Sequence, residues 1–195
     1  IDAAASVGVH ENKGNALSPK TYDHSNIVVP SMSYHNGQRM RSDAAAALVS
    51  MAAASYREGA GRIGIASGYR SYDTQRSLYN SKVATPGQAY ADTWVLRPGY
   101  SEHQAGLTTD LKPIGRSNCS SHTCIDETPQ GVWLAKNSWR FGFILRYESG
   151  RTSTTGISFE PWHFRFVGTP LSTAYRDGGW HTYEQFLDEP AAPTY

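Results

Sequence analysis

Residues 101–110 read Ser-Glu-His-Gln-Ala-Gly-Leu-Thr-Thr-Asp and place two metal-binding residue types, His103 and Asp110, on either side of Gly106. A turn at this glycine would bring both side chains to one point. Leu107 to Leu111 reads as a strand that follows the turn. Imidazole nitrogen and carboxylate oxygen both suit zinc. The plain alternative for the pair alone is a surface loop.

Residues 159–166 read Phe-Glu-Pro-Trp-His-Phe-Arg-Phe and add another candidate ligand, His163, with a carboxylate nearby at Glu160. A histidine among aromatic residues is more often a packed core residue than a ligand, and that is the alternative here. In a regular strand, residues 160 and 163 point to opposite faces. Pro161 cannot donate to a strand ladder and favours bulges, so a break at this proline is needed for one shared site.

Residues 67–75 read Ser-Gly-Tyr-Arg-Ser-Tyr-Asp-Thr-Gln, which is typical of a strand end, a turn and a helix start. This geometry would leave the Arg70 guanidinium free to hold a substrate carboxylate or a developing oxyanion. From this segment alone, a surface ion pair is the favoured interpretation.

The surrounding sequence predicts an α+β fold, in which helices pack on a small, mostly antiparallel sheet that carries the metal site. Ser42-Asp43 is interpreted as the cap of an alanine-rich helix over 44–58, and Asp73 as the cap of a helix to about Lys82. Further helices are predicted over 130–139 and 183–187, and further strands over 62–66, 141–147 and 159–167.

Composition and charge indicate an ordinary globular protein. Of the 195 residues, 39% are hydrophobic and 18% charged, and the net charge is +1. No basic stripe interleaved with aromatics is present, so nucleic-acid binding is not expected. No apolar run approaches the roughly 20 residues that span a bilayer. Residues 1–6 lack the basic and apolar regions of an intact signal peptide.

The two cysteines, Cys119 and Cys124, are close enough for a local disulfide, which an oxidising, extracytoplasmic compartment would favour. Free thiols, or a metal site formed with His122, are the alternatives. Structural zinc sites usually need four ligands, and no second Cys/His pair lies nearby. The disulfide is therefore preferred.

Together the three segments resemble one family, the VanY- and VanX-like zinc D,D-carboxypeptidases and D,D-dipeptidases of bacterial cell-wall metabolism and vancomycin resistance. The family pattern is S-G-Y-R-S with a downstream Gln, then S-x-H-x-x-G-x-A-x-D, then E-P-W-H-x-R. This chain matches in order over about residues 60–168, with Thr108 where the pattern has alanine.

The resemblance implies a role for each matched residue. His103, Asp110 and His163 are expected to bind one zinc ion, which leaves a position open for water. Glu160 is expected to act as the general base on that water, and Arg70 to stabilise the tetrahedral intermediate. The resemblance also implies substrate contacts from three residues: Arg70, Gln75 and Ser101. The other five histidines, which are His10, His24, His35, His122 and His181, are interpreted as surface or hydrogen-bonded residues.

The resemblance implies a D-alanyl-D-alanine carboxypeptidase that acts on peptidoglycan stem peptides outside the cytoplasm. A D-Ala-D-Ala dipeptidase and an endolysin-type endopeptidase are the enzymatic alternatives. A non-catalytic, zinc-bearing wall-binding domain is the alternative from another class, although such a domain would not need Glu160 or Arg70. We expect residues 1–195 to form a single, monomeric peptidase domain, with residues 1–40 as an irregular arm that contains one short strand.

Overall fold

A computed structural model describes residues 3–195, so the first two residues of the predicted arm lie outside the described part. The main sheet consists of β3 (Ile63–Ser67), β4 (Thr108–Pro113), β5 (Phe143–Tyr147) and β6 (Glu160–Phe166). The strands pair in the order β3-β4-β6-β5, and every pairing is antiparallel. In the arm, β1 (Ile27–Val28) pairs with β2 (Met40–Arg41).

Helices surround this sheet, and the predicted α+β class is confirmed. They are α1 (Ser42–Arg57), α2 (Tyr72–Ala84), α3 (Gln88–Trp94), α4 (Pro129–Asn137), α5 (Thr152–Thr155), α6 (Thr169–Asp177) and α7 (Tyr183–Phe186). Two 3-10 turns cover Ile125–Glu127 and Ser138–Phe141. Within residues 3–195, no helix has the length and apolarity needed to cross a membrane.

One face of the sheet carries the main apolar core. Helix α1 turns its small and aliphatic residues towards this face, and Leu48 and Met51 are fully buried there. They share one cluster with Leu111 of β4 and Phe164 of β6. Alanines elsewhere on the same helix face allow the close approach to a sheet that the sequence predicted.

The opposite face of the sheet is polar and is nevertheless buried. Because successive strand residues alternate in direction, Asp110, His163 and Arg165 lie on the face opposite Leu111 and Phe164. Arg165 and its neighbour Arg146 on β5 have no exposed surface. Residues 9–13 of the arm and helix α7 pack over this face, so this part of the arm belongs to the buried interior.

Two predicted helix caps are wrong in position. Helix α1 begins at Ser42, and Asp43 lies within its first turn, where it pairs with Arg41. In α2 the cap is Ser71, whose hydroxyl accepts from the Thr74 N–H. In both cases an acidic residue near a helix start was mistaken for the cap, since both positions suit negative charge.

Two helices of seven or more residues, α3 and α6, were not predicted from the sequence. The polar stretch before Trp94 has no apolar period, and α3 begins after Gly87 and packs against α2. Helix α6 contributes Tyr175 to the second apolar cluster, where it packs with Ile144 of β5. Its stability as a helix therefore comes mainly from tertiary packing. The predicted helix over 130–139 is α4 followed by a 3-10 turn.

The structure contains the predicted disulfide between Cys119 and Cys124. This bond excludes the alternative metal site with His122. The loop that it closes lies beside Trp162, against which the His122 ring packs edge-on at 4.9 Å. The loop therefore forms part of the wall of the cavity that His103, Asp110 and His163 also line.

Candidate metal and catalytic site

Three side chains from two adjacent strands and the preceding turn converge on one point. His103, Asp110 and His163 each offer a ligand atom, and these atoms lie within 4.8 Å of one another. Asp110 lies directly opposite His163 in the β4–β6 pairing. The sheet register thus brings together ligands that are far apart in sequence. All three residues are buried.

The turn at Gly106 delivers His103 to this point. Its φ is 71°, in the region that favours glycine. A Cβ atom here would lie 2.6 Å from Ile27 Cδ1, and the Gly106 carbonyl accepts from the Arg41 N–H at 2.8 Å. The predicted turn is therefore fixed by both conformation and close packing.

The predicted irregularity around Pro161 is present. Strand β5 advances two residues from Leu145 to Tyr147, whereas their β6 partners, Phe164 and Glu160, are four residues apart. The two additional residues of β6 form a bulge. This bulge turns Glu160 to the same side as His163, and Glu160 Oε2 lies 3.1 Å from His163 Nδ1.

Each histidine ring is oriented by a partner at its outer nitrogen. His103 Nδ1 lies 2.7 Å from the Gly68 carbonyl, and its Nε2 lies 3.4 Å from Asp110 Oδ2. His163 Nε2 lies 3.3 Å from Glu102 Oε2, and its Nδ1 lies 3.4 Å from Asp110 Oδ1. A backbone carbonyl and a carboxylate accept hydrogen bonds at the outer nitrogens, so with a metal ion bound the nitrogens that face Asp110 would supply the lone pairs.

This donor set fits a zinc ion. Two imidazole nitrogens and a carboxylate oxygen are the three-ligand arrangement of catalytic zinc, with one position left open. Asp110 Oδ1 is buried without a hydrogen-bond partner, which a bound cation would satisfy.

The charges of the site are strongly coupled. Burial alone would raise the pKa of Asp110, but His103 and His163 outweigh it and hold that pKa well below its ordinary value. Burial opposes a charge on His163, yet the neighbouring carboxylates of Asp110, Glu102 and Glu160 hold its pKa well above the usual value. The carboxylates of this set therefore stabilise a positive charge at the position that a metal would take.

The pKa of Glu160 shifts in the opposite direction from that of Asp110. Burial raises its pKa, and the hydrogen bond and charge of His163 only partly oppose this shift. A carboxyl group whose pKa is raised towards neutrality can accept and return a proton.

Arg70 faces the same point from the turn between β3 and α2. Its Nε is buried without a hydrogen-bond partner, and Asp110 and Glu160 lie close enough to oppose the pKa-lowering effect of its burial. Its backbone N–H donates to the His103 carbonyl at 3.0 Å, which ties the two motifs together. The surface ion pair that the segment alone favoured is therefore not found.

Gln75 and Ser101 also line the cavity at the site. The Gln75 Nε2 donates to the Leu96 carbonyl at 2.6 Å, while Oε1 is buried without a partner. This arrangement leaves the Gln75 oxygen available to a substrate N–H.

The cavity has a volume of about 310 Å³ and includes residues that the sequence did not single out. Tyr147 packs its ring 4.7 Å from that of His163, and its buried hydroxyl has no partner. Burial raises the pKa of this hydroxyl well above its usual value, so it remains a donor. Lys82, Tyr90, Trp94 and Thr123 also line the cavity, and no signal in the sequence distinguished them from surface residues. His122, which the sequence offered as a ligand only together with the cysteines, lines the cavity as well.

The three motifs lie inside one region that matches a known protein family. The sequence profile of VanY, D-alanyl-D-alanine carboxypeptidase, matches residues 37–169. The chain belongs to the VanY family. Every candidate site residue of this VanY-family chain lies within the matched region.

Relatives and solved structures agree with this placement. The chain is 34% identical over 184 residues to the putative carboxypeptidase YodJ of Bacillus subtilis, a match covering 91% of this chain and 66% of YodJ. It thus spans slightly less than two thirds of that relative. The LdcB LD-carboxypeptidase structure superimposes with a TM-score of 0.87 at 31% identity, over 96% of this chain and 88% of LdcB. A vancomycin-resistance D,D-pentapeptidase VanY, solved with Zn(II), gives a TM-score of 0.77 at 32% identity, over 93% of this chain and 98% of that one.

Proposed function

We propose that this VanY-family chain is a zinc-dependent D-alanyl-D-alanine carboxypeptidase that removes the terminal D-Ala from peptidoglycan stem peptides. The observation that carries the proposal is the convergence of His103, Asp110, His163 and Glu160 at one cavity. The family match and the Zn(II) complex of a related D,D-pentapeptidase support it.

Two nitrogens and one oxygen would hold the ion: His103 Nε2, His163 Nδ1 and a carboxylate oxygen of Asp110. When bound, zinc polarises a substrate carbonyl and lowers the pKa of its water to about 7. Asp110 supplies the negative charge that the buried ion needs.

Glu160 is the group we assign as general base and then general acid. Its carboxylate accepts a proton from the attacking water and returns it to the leaving amine, so that it is unchanged at the end of the cycle. The raised pKa of Glu160 makes its carboxylate a stronger base, which favours the first transfer.

Arg70 and Gln75 are assigned to substrate. The Arg70 guanidinium, free at Nε, donates to the developing oxyanion or to the terminal carboxylate. The Gln75 oxygen accepts a peptide N–H, and Ser101 contacts the substrate beside it.

We further propose that residues 1–195 act as one monomeric peptidase domain outside the cytoplasm, with stem peptides as its partner. The disulfide between Cys119 and Cys124 supports an oxidising compartment. The arm belongs to this domain because Glu11 pairs with Arg165 inside the buried face of the sheet.

A second candidate is L,D-carboxypeptidase activity. It is favoured by the TM-score of 0.87 to the LdcB LD-carboxypeptidase, against 0.77 to the D,D-pentapeptidase. Such an enzyme would remove D-Ala from a tetrapeptide stem rather than a pentapeptide stem.

Mass spectrometry of the products from three substrates tests these proposals. A pentapeptide stem, a tetrapeptide stem and free D-Ala-D-Ala are incubated with the protein, with a chelator, and with the chelator followed by zinc. Loss of one alanine from the pentapeptide, abolished by the chelator and restored by zinc, is expected. Cleavage of the tetrapeptide alone would favour L,D activity, and hydrolysis of the free dipeptide alone would favour a dipeptidase. Absence of zinc-dependent cleavage in all three would contradict the enzymatic proposal.

A further inference from the structure

Glu102, the residue before the candidate ligand His103, has a carboxylate that also faces the candidate ligand His163. Glu102 has no exposed surface, and its Oε2 lies 3.3 Å from His163 Nε2. The sequence assigned no role to Glu102, because it occupies a variable position of the motif.

The two nitrogens of His163 face different partners. Nδ1 lies 3.4 Å from Asp110 Oδ1 and 3.1 Å from Glu160 Oε2, on the side of the candidate metal position. Nε2 faces Glu102. A cation held among His103, Asp110 and His163 would face Nδ1 and take its lone pair. The ring proton would then lie on Nε2, where the Glu102 carboxylate accepts it.

Three donors hold the Glu102 carboxylate in place. Arg146 Nε donates to Oε1 at 2.8 Å, and Arg165 Nη1 lies 3.3 Å from the same oxygen. The Thr108 hydroxyl donates to Oε2 at 3.3 Å, beside the contact with His163. Thr108 stands where the family pattern has alanine, so this third donor is a departure of this chain from that pattern.

Both arginines are themselves fixed by further acids from the elements that cover this face. Arg146 donates to both carboxylate oxygens of Glu184 in α7, and Arg165 donates to Glu11 in the arm at 2.9 Å. All five side chains of this set, which we term the buried ion network, have no exposed surface: Glu11, Glu102, Arg146, Arg165 and Glu184.

We propose that Glu102 is a positioning residue of the metal centre, which accepts the Nε2 proton of His163 and thereby directs Nδ1 to the metal. The direct contacts with Arg146, Arg165 and Thr108 hold the Glu102 carboxylate against the ring. The inference rests on the proposed zinc function. The competing interpretation is that the network only stabilises packing between the arm, α7 and the sheet.

Zinc affinity in two matched variants separates these interpretations. Glu102 and Glu184 are both fully buried and both pair with Arg146, but only Glu102 touches a candidate ligand. We expect Glu102→Gln to weaken zinc binding on the order of 10–100-fold in competition with a chelator. Glu184→Gln should leave zinc affinity near that of the wild type, even if its melting temperature falls as far. Equal zinc affinities in the two variants would overturn the inference.

A spectroscopic measurement on the unmodified protein covers the case in which a variant fails to fold. Long-range ¹H–¹⁵N correlation spectra of the zinc-loaded protein report which nitrogen of His163 carries the proton. We expect the proton on Nε2 and the metal on Nδ1. A proton on Nδ1 would overturn the assignment.

Failure of the inference and failure of the proposed function give different results. If the wild type binds zinc tightly but Glu102→Gln binds it equally well, the proposed function stands and Glu102 has no positioning role. If the wild type does not bind zinc, both are overturned.

Discussion

Asp110 and His163 are cross-strand partners, and Asp110 Oδ1 lies 3.4 Å from His163 Nδ1. Strand pairing therefore sets the separation between two candidate ligands, and the turn at Gly106 adds His103. Because sheet register is specified by the buried face behind it, the metal position depends on packing of the apolar core.

Replacing His163 with alanine is expected to remove zinc. The variant loses one of three ligands, and the two that remain, Asp110 and His103, do not complete the three-ligand arrangement of a catalytic zinc site. Metal analysis after dialysis measures the loss. His181→Ala is the control, because His181 is exposed and pairs only with Glu148. Stoichiometric, tight zinc in His163→Ala would remove this residue from the site.

Glu160→Gln is expected to retain zinc and to lower kcat on the order of 10²–10⁴-fold, the usual contribution of general acid–base catalysis. The amide keeps the shape of the side chain but cannot accept the proton. Steady-state kinetics on a pentapeptide stem, with zinc content measured in parallel, test this. The exposed Glu127→Gln is the control. Unchanged turnover in Glu160→Gln would rule out the base.

Arg70→Ala is expected to lower kcat about 10²–10³-fold, or ~2.7–4 kcal/mol in the barrier, while zinc stays bound. The physical reason is the loss of a buried donor at the oxyanion. Arg76→Ala is a suitable control, because Arg76 follows on α2 and forms an exposed ion pair with Asp73. A rise in KM with unchanged kcat would instead assign Arg70 to binding of the terminal carboxylate.

Glu11 predicts a dependence of stability on pH. Burial raises its pKa from 4.5 to about 7, despite the charge of Arg165. Between these values the folded state binds more protons than the unfolded state, so this carboxyl lowers the free energy of unfolding as pH rises. The shift corresponds to about 3 kcal/mol. Urea unfolding should show that, between pH 5 and pH 8, the free energy of unfolding of the wild type falls relative to that of Glu11→Gln. A constant difference between the two proteins would contradict the raised pKa.

Replacing both Cys119 and Cys124 with serine is expected to cost about 2 kcal/mol of stability, because the disulfide closes only a short loop. The larger effect should be on substrate binding, since the loop carries His122 against Trp162 in the cavity wall. Comparing KM for a stem peptide before and after mild reduction, with intact zinc content, measures this effect.

The parts of the site that a short motif encodes could be predicted from the sequence. The turn at Gly106 follows from local chemistry, and the irregularity at Pro161 follows from the missing N–H of proline. The fold class followed from the order of the strand and helix patterns.

The contribution of the buried polar face could not be predicted, because it arises from contacts across the whole chain. Arg146 and Glu184 carry no local signal that distinguishes them from surface charges. Helix α6 likewise packs its Leu171 and Tyr175 on Ile144 of β5, a contact that exists only once the sheet is assembled. The burial of Glu11 and His10 in the arm was likewise not predicted.

The contact between the arm and α7 determines when this part of the chain can complete its folding during synthesis. His10 and Glu184 are 174 residues apart in the chain and lie 3.4 Å apart in the fold. At about 5–20 residues per second, roughly 9–35 s separate the synthesis of these two residues. Until α7 leaves the ribosome, Arg146 lacks its outer carboxylate and residues 9–13 lack their cover. We therefore infer that the nascent chain completes the buried polar interior behind the candidate site only after α7 has been synthesised.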